Sequence, residues 1–154
     1  MWPFIKSFLP AWLATFLVAS VLHTFLVLTS LSNLGIEITA SEWMSTTWQD
    51  IVGLLPTYGA IIAVALFLGL NVVTLVRKYL VKKVVSPTTF IVLTSLAGAS
   101  GIAAALLAMQ PILNVTLIAG ARGYEGFLLQ CGAGLLGGFL FGFLRSNISH
   151  RPHS

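Results

Sequence analysis

The chain has 154 residues, 57% of them hydrophobic and only 8% charged, with a formal net charge of +4 and a mean hydropathy of +0.97. A soluble domain carries charge at about 25% of its positions, so water is excluded as the solvent for most of this surface, and four spans of about 20 residues leave no room for a second, soluble domain. The apolar runs are continuous and show no alternation over about 10 residues, which favours helices over a barrel, and the single cysteine, Cys131, excludes an intrachain disulfide and a thiolate metal site within one chain.

The expected fold is all-α: a polytopic integral membrane protein, one domain, with four transmembrane helices and both termini cytoplasmic. The first span is placed at 8–31, with Lys6 and Trp12 anchoring its start and Asn33 and Gly35 supplying a helix stop. A cleaved signal peptide competes for this segment, but the apolar core far exceeds the roughly 7 to 15 residues of such a leader. The outer loop 32–51 holds Glu37, Glu42 and Asp50, no lysine or arginine, and the pair Trp43 and Trp48, which suits a short element at headgroup level. Thr47 followed three residues later by Asp50 resembles a capping box that opens the second helix, and Pro56 is expected to kink it.

The second span, 52–76, runs into the basic inner loop 77–86 with Arg77, Lys78, Lys82 and Lys83. Ser86 and Pro87 supply cap and first turn for the third span, 87–109, which Gln110 and Pro111 are expected to end. The outer loop 110–123 contains an apolar run at 112–119 too short to span; it reads as an ordinary loop or a re-entrant piece, followed by glycine-rich turn chemistry. The fourth span, 124–144, is closed by Arg145. Lys6, the four cations of the inner loop, Arg145 and Arg151 fall on one side and Arg122 alone on the other, which marks the first side as cytoplasmic. The cations read as topology signals and lipid-headgroup contacts and predict no nucleic-acid partner. The bacterial inner membrane is the expected location.

Small residues give the strongest local pattern. Gly134, Gly138 and Gly142 share one face of the last helix, and Thr94, Gly98, Gly101, Ala105 and Ala108 form a stripe on the third. Such faces let helices approach closely in lipid, either within one chain, as the simplest reading, or between protomers, or around a narrow pore. All four acids and all eight cations fall at or outside the span ends, so no intramembrane charge points to coupled transport. His23 is the one titratable side chain at depth. Tyr58 and Gln130 lie at a similar level, each roughly 9 Å below its outer span end. A vestibule lined by His23, Tyr58 and Gln130, with Gln110, Asn114, Arg122 and Glu125 as its rim, is the sharp hypothesis; hydrogen bonding between neighbouring helices is the bland one.

No catalytic residue, metal site or cofactor is expected. The favoured function is a non-enzymatic subunit in the lipid bilayer, forming a homo-oligomer or part of a larger membrane complex. The alternatives are a small channel or transporter with an outward-opening vestibule, and a membrane enzyme or cofactor-holding subunit.

Overall fold

A computed structural model describes residues 2–79, 86–113 and 124–149, and every regular element among them is helical. These are α1 (Trp2–Asn33), α2 (Ala40–Leu54), α3 (Ala60–Tyr79), α4 (Pro87–Leu113) and α5 (Tyr124–Ser149), with a π-helical turn at Leu55–Gly59 between α2 and α3. Four stretches are long and apolar enough to cross a membrane: Phe4–Asn33, Ala40–Arg77, Pro87–Met109 and Tyr124–Asn147.

Local chemistry sets the helix ends. Gly35 adopts a φ of 85°, where a side chain is disfavoured. Its N–H bonds to Ser32 O at 3.0 Å and that of Ile36 to Leu31 O at 3.4 Å, the paired reversal that closes a helix on a left-handed glycine. At the start of α4 the Ser86 hydroxyl accepts from Thr89 N at 3.2 Å, and Pro87 occupies the first helical position.

The second helix opens earlier than its sequence suggested. Thr39 caps it: the Thr39 hydroxyl accepts from Glu42 N and the Glu42 carboxylate accepts from Thr39 N at 2.7 Å, so two orphan donors are satisfied reciprocally. Thr47 instead turns its hydroxyl back to Trp43 O at 2.7 Å, as a mid-helix threonine does. The segment 32–51 is therefore mostly helix. At Pro56 the chain widens into the π-helical turn, because proline has no N–H to give to the carbonyl four residues back.

Three helices run beyond the spans expected of them, although the apolar stretch Pro87–Met109 keeps the expected bounds. The first helix begins at Trp2 and passes through Pro10, α4 continues through Pro111 to Leu113, and α5 runs past Arg145 to Ser149. One missing backbone donor does not end a helix whose other bonds persist, and apolarity marks what lipid can cover, not where hydrogen bonding stops. Trp12, ten residues inside α1, donates its indole N–H to Gly59 O at 2.8 Å and so ties α1 to the π-helical turn. The run 112–119 lies outside the described residues beyond Leu113.

Around the bundle, α3, α4, α5 and α1 are successive antiparallel neighbours, with α2 folded back along the end of α1. Backbone contact through glycine makes each main seam. A Cβ on Gly98 would strike Gly134 O, one on Gly138 would strike Thr94 O, and one on Gly142 would strike the Thr94 hydroxyl. Between α3 and α4, a Cβ on Gly69 would come within 2.7 Å of Ala97 O and one on Gly101 within 2.7 Å of Ala65 O. Gly137 on α5 meets Thr15 and Ala11 of α1.

The stripe on the third span thus divides between two neighbours. Thr94 and Gly98 face α5, Gly101 faces α3, Ala105 packs on the core, and Ala108 lines the outside of the α3/α4 seam. Positions three apart sit about 60° around the helix from one another, enough to address different partners. Phenylalanines fill the remaining side: Phe4 and Phe8 each place their rings 5.9 Å from Phe67, and Phe4 lies 5.1 Å from Phe141.

These seams predict opposite outcomes for two glycines on the same helix. Gly138→Ala forces α4 and α5 apart and is expected to lower stability by about 1–3 kcal/mol. Gly132→Ala meets nothing within 4 Å and gains helix propensity, so it is expected to be neutral or stabilising by up to about 1 kcal/mol. Thermal unfolding of both variants in the same detergent checks this, and equal midpoints would contradict close packing at Gly138.

Candidate functional site

Among the described residues the largest fully buried polar side chain is that of Gln130 on α5. Its side-chain N–H donates to Ala19 O on α1 at 3.1 Å, and its carbonyl accepts from the Tyr58 hydroxyl at 2.6 Å. One side chain thereby joins α1, α5 and the π-helical turn. That turn supplies the geometry: the wider spacing after Pro56 carries Tyr58 inward to 2% exposure, and the Trp12 bond to Gly59 O holds it there. In a dry interior each of these bonds counts, since an amide or phenol left unpaired there costs about 1–3 kcal/mol.

His23 belongs to the next layer. It lies one helical turn along α1 from Ala19, is 8% exposed, and faces the electrostatic field of Asp50 on α2. The neighbouring Thr24 hydroxyl donates to Asp50 Oδ2 at 2.8 Å and also lies 3.1 Å from Ser20 O. Asp50 is half-buried against α1. Of the three residues placed together by depth, Tyr58 and Gln130 are bonded to each other, while His23 sits beside an acid that depth alone did not associate with it.

The missed residue had a readable signal. Once Thr39 and Glu42 are taken as the cap, Trp43, Thr47, Asp50 and Leu54 fall at spacings of four, three and four on one face of α2. The ring of Trp43 on that face lies 5.8 Å from Phe25 of α1, and Leu54 packs against the core. Reading Thr47 and Asp50 as a cap concealed the pattern.

Of the residues assigned to a rim, Glu125 alone has a described side chain. Glu125 is exposed in the first turn of α5. Gln110 falls in the last turn of α4, its side chain not among those described, and Asn114 and Arg122 lie outside the described residues. Three further buried hydroxyls are satisfied within their own helix, Thr15 donating to Ala11 O at 2.7 Å, Ser95 to Ile91 O at 2.8 Å and Thr94 to Ile91 O at 2.9 Å, whereas the buried Ser20 hydroxyl meets no hydrogen-bond partner among the described residues. The three bonded hydroxyls fill seams and present no chemistry. Among the described residues no group of three or more His, Cys, Asp or Glu could hold a metal ion.

The large cavity lies elsewhere. A groove of about 1260 Å³ runs along the outside of the α3/α4 seam, floored by Ala65, Gly69, Ala97 and Gly101 and walled by larger aliphatics such as Leu68 and Leu96. Its only side-chain hydroxyl, on Ser100, donates to Leu96 O at 2.9 Å. It offers shape without polar recognition. Comparison with known proteins returns no match: no family model fits the chain, and no curated protein or solved structure is similar to it.

The Tyr58–Gln130 bond predicts coupling. Tyr58→Phe leaves the Gln130 carbonyl without its donor and Gln130→Leu orphans the phenol, so each is expected to destabilise by about 1–3 kcal/mol. The double variant is expected to fall short of the sum by about 1 kcal/mol. A double-mutant cycle by denaturant titration in mixed micelles measures this, and strictly additive losses would show that the two side chains act separately.

Proposed function

We propose that the chain is an integral membrane protein with both termini cytoplasmic, and that it works without catalytic chemistry, as a subunit of a homo-oligomer or a larger membrane complex. One observation carries this reading: the α3/α4 groove is apolar along its length, floored by alanine and glycine, and bordered by exposed aliphatic side chains such as Val64 and Leu96. In water such a surface would be a liability. In lipid, where burial of apolar area gives no net drive, a floor of small residues lets a further helix come close and gain dispersion contacts along its whole length.

The expected occupant is a transmembrane helix of a second chain, in the first instance another copy. The glycines of the α4/α5 seam are already in contact within one chain, so α3 and α4 supply the surface for association. The distribution of lysine and arginine supports the orientation, and the bacterial inner membrane is the location we favour. A channel or transporter lined by His23, Tyr58 and Gln130 requires those side chains to meet solvent; their near-complete burial favours the subunit reading.

Cross-linking in native membranes tests it. In a Cys131→Ser background, Ala104→Cys places a thiol in the groove and Leu128→Cys places one on an exposed face of α5. Oxidation is expected to give a discrete adduct from the groove position and none from the control. Ala104→Trp, which fills the groove, is expected to dissociate the assembly in mild detergent. A monodisperse monomer in native-lipid nanodiscs, with no adduct at Ala104→Cys, would sink the proposal.

A further inference from the structure

Among the described residues the acids and the arginines are segregated along the bundle axis. The chain's four acids, Glu37, Glu42, Asp50 and Glu125, all lie towards the end where α1 finishes and α5 begins. Arg77 and Arg145 lie at the other end, Arg145 about 20 residues of helix, roughly 30 Å, from Glu125. No carboxylate side chain is present at that end to neutralise them.

Both arginines lie over phenylalanine rings there. Arg77 closes α3 with its guanidinium carbon 4.5 Å from the centroid of the Phe90 ring on α4. On α5 the guanidinium carbon of Arg145 lies 5.8 Å from the Phe4 ring and 6.0 Å from that of Phe141. Each cation is within electrostatic reach of the other, an unfavourable pairing that nothing in the sequence requires. An arginine serving only as a topology signal extends into water with all five donors hydrated. Arg145 does not: its Nη1 is buried and meets no hydrogen-bond acceptor among the described residues. Aromatic faces stabilise the cation but leave that donor unanswered.

We propose that Arg77 and Arg145 form an anion site for a phosphate group, carried either by the headgroup of an anionic phospholipid or by a soluble phosphate compound. A phosphate between them removes their mutual repulsion and supplies the acceptor that Nη1 lacks. The planar guanidinium fork suits this task, since it grips two phosphate oxygens at once, which an ammonium cannot. The flanking phenylalanines orient the forks and lower the local polarity, so the attraction is screened less than on an open surface.

The test uses the purified full-length chain in a neutral detergent, followed by thermal unfolding against three probes: dioleoylphosphatidylglycerol, dioleoylphosphatidylcholine and inorganic phosphate. Phosphatidylglycerol is expected to raise the midpoint saturably and phosphatidylcholine to do so far less. Arg145→Gln or Arg77→Gln is expected to weaken the half-saturating concentration about tenfold. Arg145→Lys, which keeps the charge and loses the fork, should fall between. The paired change Lys82→Gln, Lys83→Gln should have little effect. A response to phosphatidylglycerol alone identifies a lipid ligand, and an equal response to inorganic phosphate identifies a soluble one; both support the site. The proposal is overturned if no probe stabilises the wild type, if phosphatidylcholine does so equally, or if the lysine changes weaken binding as much as the arginine changes. Should Arg145→Gln fail to fold, Arg77→Gln, on an exposed residue at the end of α3, decides the outcome.

Discussion

Backbone approach between α4 and α5 is the constraint on which the rest of the bundle depends. Gly98, Gly134 and Gly138 bring the two helices so near that each would-be Cβ falls on a carbonyl of the opposite helix. Where lipid is the solvent, helices gain little from hiding apolar area, so contact must come from dispersion over a close, long seam and from weak Cα–H bonds. The α4/α5 pair then acts as a rigid rib. Gly137 sets α1 on one side of it through Thr15 and Ala11, and Gly69 and Gly101 set α3 on the other.

Directional bonds then fix what glycine seams leave adjustable. A seam of small residues specifies closeness and says little about register. The Gln130 amide does specify register, because its two ends must meet Ala19 O and the Tyr58 hydroxyl at once. The π-helical turn meets that demand: its wider spacing around Pro56 turns Tyr58 into the core. The local irregularity and the buried polar cluster are one device. Above it, Thr24 and Asp50 clip α2 to α1.

With its seams closed internally and its polar layer bonded to itself, the molecule keeps two surfaces that its own chain does not complete. One is the apolar α3/α4 groove. The other is the pair of arginines at the end remote from every acid. They call for different complements, a helix packed on alanine and glycine and an anion held by guanidinium forks. Both fit the proposed subunit that assembles with neighbours in a membrane.

The helical class, the four long apolar stretches, the caps at Gly35 and Ser86 and the polarity of the charges were readable from residues, because each rests on local chemistry or on composition. The faces rich in glycine were readable as packing surfaces too. Which face met which helix was not: Gly98 and Gly101, three positions apart, serve different neighbours, and that choice depends on crossing geometry that no local pattern encodes. The start of α2 was misjudged because two Thr-x-x-acid patterns competed, and the reciprocal bonds of Thr39 and Glu42, with Thr47 bonded back to Trp43 O, place Asp50 mid-helix. The bond from Tyr58 to Gln130, the electrostatic reach between Arg77 and Arg145 and the groove outside α3 and α4 all join residues far apart in the chain. Local chemistry sets where helices begin and how apolar they are; only the packed bundle determines which distant side chains share a site, since that is a property of distances between helices.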